Sequence, residues 1–150
     1  MVNEIQVATA NLWQLVLKNA VGGSGVNAVD IIVVDLKTGD GIEGRGFSYV
    51  LGSSGKTATN AAREIIKDFL IKKTLTHPES LAREIRQSFN RTGRGPNAIA
   101  HAAIDTAAWD LYGKSLNCPV GIAMGGSERE VPVYGSGGFN TTQSPDEAAD

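Results

Sequence analysis

One segment of the sequence has the composition of a phosphate-binding loop. Residues 52–57 have the sequence GSSGKT and join a predicted strand to a predicted helix. The backbone N–H groups of a glycine-rich turn at a helix N-terminus can hold phosphate oxygens, and the lysine adds a positive charge. The full motif requires another glycine five residues before Gly55, where the chain has Val50. We therefore expect a turn in which Thr57 caps the helix, and we keep a small nucleotide-binding module as an alternative function.

A second candidate for chemistry is a pair of metal-ligating residue types on a predicted helix. His101 and Asp105 are four residues apart, which places both side chains on one helix face, and Asp110 follows further along. Two ligands are too few for a metal site, and the neighbouring residues are mostly alanine. We therefore expect a structural hydrogen-bonding role or surface pairing for these two residues.

The third candidate is Cys118, the one cysteine of the chain. It cannot form an internal disulfide or belong to a cysteine-rich zinc site. Neither His77 nor His101 shares a recognisable nucleophile motif with it. We expect a packed or partly exposed thiol in a protein of the reducing cytoplasm.

Length and composition limit the classes of protein to which the chain can belong. Its 150 residues suit one compact domain with at most an appended segment, and 41% hydrophobic with 20% charged residues is typical of globular proteins. The formal net charge of -2 gives no reason to expect nucleic acid as a partner. No stretch reaches the roughly 20 apolar residues that cross a membrane, and the N-terminus lacks the order of a secretory signal. We expect neither nucleic-acid nor membrane binding.

The first part of the chain has the composition of β-strands. Residues 2–17 favour a strand, and residues 18–25 are glycine-rich and predict a flexible loop. Residues 29–36 and 42–49 predict a β-hairpin around a turn at 37–41. Asp30 and Asp35 fall on opposite faces of the first hairpin strand, so this strand has no purely polar face. We therefore expect helices to cover one side of the sheet.

The middle of the chain has the spacing of helices, and its end predicts a further strand followed by the start of a helix. Apolar residues at helical spacing predict helices at 57–73, from Pro78 to near Gly93, and from Pro96 to Tyr112, the last stopped by Gly113. A short helical turn, a strand at 131–134 and a helix start at 144–147 are expected after them. The overall prediction is an α+β fold.

Three groups of residues resemble the mandelate racemase and muconate lactonizing family of the enolase superfamily. The main one is residues 98–114, AIAHAAIDTAAWDLYGK, followed by CPV at 118–120 and MGG at 124–126. Upstream, GIEGRG at 41–46 is similar to a family strand, and downstream VPVYGSGG at 131–138 is similar to its first barrel strand. The resemblance covers nearly the whole chain in the family's order of elements.

The resemblance implies two regions with different parts in catalysis. Residues 1–126 would form an enolase-like N-terminal capping domain, a three-stranded antiparallel meander followed by a helical bundle. Residues 127–150 would be a linker with the first strand and helix start of a (β/α) barrel that is otherwise absent. In this family the barrel removes a proton α to a carboxylate with a Lys or His base, while Mg2+ stabilises the enediolate. The implied metal ligands and bases lie in the barrel, so the 150 residues alone would be inactive.

The resemblance also implies that two loops of the capping domain close over the barrel and contact the substrate. They correspond to residues 18–25 and 50–55, and Ser136 would follow the first barrel strand. The implied substrate-binding residues are Lys18, Asn19, Gly22, Gly23, Ser24, Val50, Gly52, Ser53 and Ser136. Their small polar side chains favour a hydroxylated carboxylate, and hence a sugar-acid dehydratase or racemase, in an intact enzyme expected to be a homo-oligomer. A noncatalytic interaction domain with an exposed apolar surface is a further alternative.

Overall fold

The computed structural model describes residues 4–21, 25–134 and 146, and within residues 19–21 it describes the backbone alone. In this part of the chain three strands precede four helices, which confirms the predicted α+β fold and its three-stranded meander. The elements are β1 (Ile5–Val21), β2 (Val26–Thr38), β3 (Glu43–Leu51), α1 (Gly55–Phe69), α2 (Pro78–Thr92), α3 (Gly95–Ser115) and α4 (Val120–Ala123). No described helix is long and apolar enough to cross a membrane.

The sheet is antiparallel with the order β1-β2-β3. On the central strand, Ile32, Val34 and Leu36 alternate with half-buried residues and are themselves buried in the core. Side chains of successive strand residues point to opposite faces, so this alternation places the helices on one face of the sheet. We call the face that carries Ile32 the inner face and the opposite one the outer face.

The predicted loop at 18–25 is shorter than expected, because β1 continues to Val21. Val21 pairs with Val26 of β2, after an irregularity in register that follows the Val16 and Ala28 pair. The glycine-rich composition predicted a loop from Lys18 onward. Backbone pairing with an adjacent strand overrides that weak local preference, so residues 18–21 belong to the hairpin arm.

Helix α3 lies directly against β3 because two glycines on the strand leave space for it. A Cβ atom added to Gly46 would lie 2.2 Å from the Ala107 nitrogen, and one added to Gly44 would lie 2.5 Å from the Ala107 oxygen. The facing side of the helix is buried and consists largely of alanine, including Ala100 and Ala103. Small residues on both elements therefore bring helix and strand backbones into contact.

Helix α2 has the predicted ends. His77 is the N-cap and its Nδ1 accepts a hydrogen bond from the Glu79 N–H at 3.2 Å, while Pro78 occupies the first turn. The His77 ring also contacts Trp109 and Tyr112 of α3 edge-on, with centroids 5.3 and 5.1 Å apart. One side chain thus caps α2 and joins it to α3.

Helix α3 does not stop at Gly113 as predicted. It continues to Ser115, and the backbone turns out of the helix at Asn117, whose φ is 50°. The Cys118 N–H donates to the Gly113 carbonyl at 3.0 Å, and a Cβ on Gly113 would lie 3.0 Å from the Cys118 oxygen. Gly113 is needed for this close return of the chain, so its role is in packing rather than termination.

The strand predicted at 131–134 is not formed in the described part of the chain, and the assignment of these residues to a barrel stays a prediction. These four residues lie in no strand and pair with none in the described part, and Val133 is 89% exposed. An apolar, β-branched run needs a neighbouring strand for its backbone hydrogen bonds. The predicted helix start at 144–147 and the loop at 135–138 lie outside the described residues, except for Asp146.

Candidate functional site

The predicted substrate-contacting segments meet at one end of the sheet. At this end Val21 pairs with Val26, and the Gly52 N–H donates to the Ala28 carbonyl at 3.0 Å. The exposed Lys18 lies on β1 beside this end. The end of the β1–β2 hairpin and the turn after β3 are therefore neighbours, although residues 27–51 separate them in the sequence.

Val50 belongs to β3 rather than to the loop predicted for residues 50–55. It pairs with Asp30 of β2, and its half-buried side chain packs against the hydrophobic core. The turn consists of residues 52–54, in which Gly52 and Ser54 have φ values of 90° and 98° and Ser53 is exposed. Positive φ is unusual for serine, so an interaction elsewhere must hold this backbone.

That interaction comes from Asp30, a residue to which the sequence assigned no functional role. Its carboxylate is buried at 4% exposure, and Oδ2 accepts a hydrogen bond from the Gly55 N–H at 3.0 Å. Oδ1 accepts a second bond from Nε2 of Gln14 on β1, at 2.9 Å. A buried carboxylate on the inner face of β2 thus bonds to the first residue of α1 and to a neighbouring strand.

The prediction that Thr57 caps α1 is wrong. The N-cap position is Ser54, which makes no side-chain capping bond in the described structure, and Thr57 is already in the first turn, with its N–H donating to the Ser54 carbonyl at 3.1 Å. Asp30 supplies the acceptor instead, from 25 residues earlier in the chain. Local spacing could not reveal this, because the capping group is distant in sequence.

The geometry of this helix start argues against the nucleotide-binding alternative. A phosphate there would need the first N–H groups of α1, but Asp30 already accepts from Gly55. A second anion would meet the negative charge of that carboxylate at close range. Lys56 is exposed, so it adds no enclosed positive charge.

His101 and Asp105 lie between α2 and α3 and do not form a metal site. Within the described residues no group of three or more His, Cys, Asp or Glu side chains could hold a metal ion. His101 is 9% exposed, and its Nε2 has no hydrogen-bond partner in the described part, so the expected hydrogen-bonding role is not met at this atom. Its ring contacts Phe89 edge-on at 6.0 Å.

Burial also changes the titration of this pair. Desolvation lowers the pKa of His101 below its ordinary value, an effect that Asp105 opposes and Arg86 reinforces. Desolvation raises the pKa of Asp105, while His101 and Arg86 oppose the rise. Burial therefore disfavours the charged form of both groups, as expected for side chains packed between two helices.

The other chemical candidates have structural positions. Asp110 Oδ2 accepts hydrogen bonds from the Arg45 N–H at 2.8 Å and from Nζ of Lys114 at 2.7 Å. Cys118 is partly exposed in the turn between α3 and α4, as expected. The Asn19 side chain and the predicted site residues Gly22, Gly23, Ser24 and Ser136 lie outside the described part.

The outer face of the sheet is apolar and exposed. Two cross-strand rows run over it, Trp13 with Ile31 and Tyr49, and Leu15 with Val29 and Leu51. Trp13 is 66% exposed, and Phe47 of the next row is 61% exposed. A contiguous apolar surface of this kind marks an interaction site.

The sequence matches the N-terminal domain of the mandelate racemase / muconate lactonizing enzyme family over residues 4–125. This range includes the sheet and all four helices. The chain therefore belongs to the mandelate racemase and muconate lactonizing enzyme family, as the resemblance of residues 98–126 indicated.

Individual relatives agree with this assignment. Arabinonate dehydratase from Saccharolobus solfataricus is 32% identical over 121 residues, which cover 80% of this chain and 32% of the relative. The o-succinylbenzoate synthase from Geobacillus stearothermophilus is 29% identical over 115 residues, covering 75% of this chain and 30% of the relative. The chain spans about a third of the length of these curated relatives.

A solved structure shows the same fold. It is L-talarate/galactarate dehydratase from Salmonella typhimurium with Mg and L-lyxarohydroxamate, with a TM-score of 0.72 and 25% sequence identity. The superposition covers 81% of this chain and 33% of that one. The meander and helices thus have the arrangement of an enolase-superfamily N-terminal domain.

Proposed function

We propose that this chain is the substrate-specificity lid of a magnesium-dependent enzyme that abstracts a proton α to a carboxylate. The observation that carries the proposal is the convergence of two segments, the end of the β1–β2 hairpin and residues 52–54, at one end of a well-packed sheet. Within the described residues this end holds no catalytic cluster. A packed domain with two neighbouring loop ends, and with no catalytic cluster among its described residues, suits a part that selects substrate and excludes water.

The lid would act through the side chains and backbone at this end of the sheet. Lys18 is exposed there and can pair with a substrate carboxylate, while the exposed Ser53 and the Gly52 backbone can bind hydroxyl groups. Asn19, Gly22, Gly23, Ser24 and Ser136 remain predicted contacts, and Val50 would support the turn from the core.

The substrate class we propose is a hydroxylated carboxylate, as in a sugar-acid dehydratase or racemase. Relatives include arabinonate dehydratase and L-talarate/galactarate dehydratase, the latter 31% identical over 113 residues. Small polar groups at the candidate site favour hydroxyl recognition over an aromatic ligand. A homo-oligomeric intact enzyme and a cytoplasmic location are parts of the same proposal.

Magnesium would be bound outside the described residues. Within the described part no group of three or more His, Cys, Asp or Glu side chains could hold the ion by itself, so we place the metal ligands in the barrel of the intact enzyme. The solved structure of the Salmonella dehydratase contains Mg. In the intact enzyme we expect the ion to stabilise negative charge on the substrate carboxylate.

The experiment begins with the gene. The coding sequence beyond Asp150 is read and the complete enzyme expressed, then assayed with magnesium against aldonic, aldaric and mandelate-type acids. We expect turnover of a sugar acid that is abolished by EDTA and restored by magnesium, and none from residues 1–150 alone. Failure on every carboxylate, or activity of the 150-residue chain alone, would overturn the proposal.

The apolar outer face supports a second candidate, a noncatalytic interaction domain. It predicts that residues 1–150 bind a macromolecular partner and that the complete protein has no turnover. The same assay separates the two candidates, because only the lid predicts activity in the longer chain.

A further inference from the structure

We propose that Asp30 is a positioning residue that fixes the conformation of residues 52–54 and thereby sets substrate affinity. The inference rests on the proposed lid function for its kinetic consequence. Its structural part rests on the described contacts alone. Asp30 would act through the turn and would not touch the substrate.

The first observation is the environment of the carboxylate. Asp30 projects from the central strand into the inner face, and both its oxygens are engaged, one by Gly55 and the other by Gln14. A carboxylate suits this position because the N-terminus of α1 carries a partial positive charge. Removing it would leave the buried Gly55 N–H without its acceptor, which destabilises the start of the helix.

The second observation is the close fit between Asp30 and the helix start. A Cβ on Gly55 would lie 2.3 Å from the Asp30 Cβ, so only glycine allows the helix to begin there. Immediately before it, Ser54 has φ 98° and ψ 0°, a conformation that is unfavourable for a residue other than glycine. The hydrogen bond from Gly55 to Asp30 offsets this cost.

The third observation is that Asp30 bonds to elements on both sides of the candidate site. Gln14 lies on β1, the strand that leads to Lys18, and Gly55 directly follows residues 52–54. On the same stretch of β2, the Ala28 carbonyl accepts from Gly52. Two residues of β2 thus hold the turn at its beginning and at its end.

The kinetic consequence follows from where the turn would contact substrate. A loop that binds the distal part of a substrate contributes equally to the ground state and the transition state, so its loss raises KM more than it lowers kcat. We expect Asp30→Ala to raise KM about tenfold, which corresponds to about 1.4 kcal/mol, while kcat stays within about threefold.

The test uses three variants and two measurements. Asp30→Ala removes both acceptors. Asp30→Asn keeps a carbonyl oxygen for Gly55, and the Gln14 amide can rotate to accept from the new amide group, so it should restore most of the function. Asp110→Ala is the matched control, since it also removes a bond between a carboxylate and a backbone N–H, at Arg45 of β3 and away from residues 52–54. Amide hydrogen exchange at Gly55 is measured in this chain, and KM and kcat in the complete enzyme.

The expected result is faster Gly55 exchange and a higher KM in Asp30→Ala, with values near the wild type in Asp30→Asn and Asp110→Ala. Unchanged Gly55 exchange in Asp30→Ala would overturn the proposal, as would an equal rise in KM in Asp110→Ala. Exchange in Asp30→Asn as fast as in Asp30→Ala would also contradict it. A complete enzyme inactive on all carboxylates would refute the lid function, and the exchange data would still decide whether Asp30 positions the turn.

Discussion

The Asp110 carboxylate accepts a hydrogen bond from the backbone N–H of Arg45, 65 positions earlier in the chain, at 2.8 Å. Arg45 lies between the two glycines of β3 against which α3 packs, so this bond fixes the helix along the strand. We expect Asp110→Ala to lower the free energy of unfolding by about 1 to 2 kcal/mol, measured by urea denaturation.

A control separates the backbone bond of Asp110 from its ion pair with Lys114. Lys114→Met removes only an exposed i,i+4 pair, worth about 0.3 to 0.5 kcal/mol. If Lys114→Met destabilised the chain as much as Asp110→Ala, the bond to Arg45 would not be the stabilising contact.

Gly46→Ala should be among the most destabilising single substitutions in the chain. The new methyl group would lie 2.2 Å from the Ala107 nitrogen, and helix and strand would have to separate. We expect a loss of at least about 3 kcal/mol, seen as a lower urea midpoint or as failure to fold. Gly95→Ala is the matched control, because nothing lies within 4 Å of an added Cβ there, and its stability should stay within about 0.5 kcal/mol of the wild type. Equal effects at the two glycines would contradict the role of close packing.

His101 should make the stability of the chain fall in mildly acidic solution. Its folded-state pKa is lowered by burial from the ordinary 6.5, so below pH 6.5 the unfolded chain binds a proton that the folded chain resists. The stability contribution is therefore present above pH 6.5 and is lost as pH falls toward the folded pKa. Asp105 acts in the opposite sense, because its raised pKa makes the folded state the stronger proton binder above pH 3.8.

The measurement is urea unfolding at intervals from pH 7.5 to 5 for the wild type and for His101→Leu. The leucine variant should lose the decline that begins near pH 6.5. Arg86 and Glu79 of α2 also influence both groups, so Arg86→Met and Glu79→Gln serve as controls in which the decline persists. An unchanged pH profile in His101→Leu would show that another group is responsible.

The outer face of the sheet should drive self-association of the 150-residue chain. Trp13 and Phe47 are the most exposed large side chains on it, and exposed apolar patches promote association. We expect Trp13→Ser with Phe47→Ser to lower the apparent mass in concentration-dependent light scattering. Val133→Ser is the control, because Val133 is more exposed but lies outside the sheet. A wild-type chain that is monomeric at high concentration would contradict the prediction.

Nucleotides should not bind residues 52–57. The Asp30 carboxylate occupies the helix start, so calorimetry with ATP or GTP and magnesium should give no heat of binding, and Lys56→Ala should behave like the wild type. Micromolar affinity that is lost in Lys56→Ala would restore the nucleotide-binding alternative.

Much of the fold could be predicted because its signals are local. Helical spacing identified α1, α2 and α3, and the turn residues identified the β2–β3 hairpin. Residues 98–114 indicated the family directly. Each of these signals depends on side chains within one or two turns of the same element.

The incorrect predictions concern contacts that the composition and spacing within a single element do not show. The length of β1 depends on pairing with β2, the capping of α1 depends on Asp30, and Gly113 depends on the return of the chain at Cys118. At 131–134 the composition of a strand was present, but the described part offers no pairing partner. The sequence places Asp30 on one face of its strand, but only the folded structure shows that its carboxylate accepts a hydrogen bond from the Gly55 N–H.

The contact of Gly44 and Gly46 with α3 ends well before the turn at residues 52–54. Because the turn takes no part in that packing, the exposed Ser53 can be exchanged with little effect on stability, whereas Gly52 has a φ of 90° that favours glycine. Under the proposed lid function, substrate preference can therefore diverge, or be engineered, at Ser53 independently of thermostability.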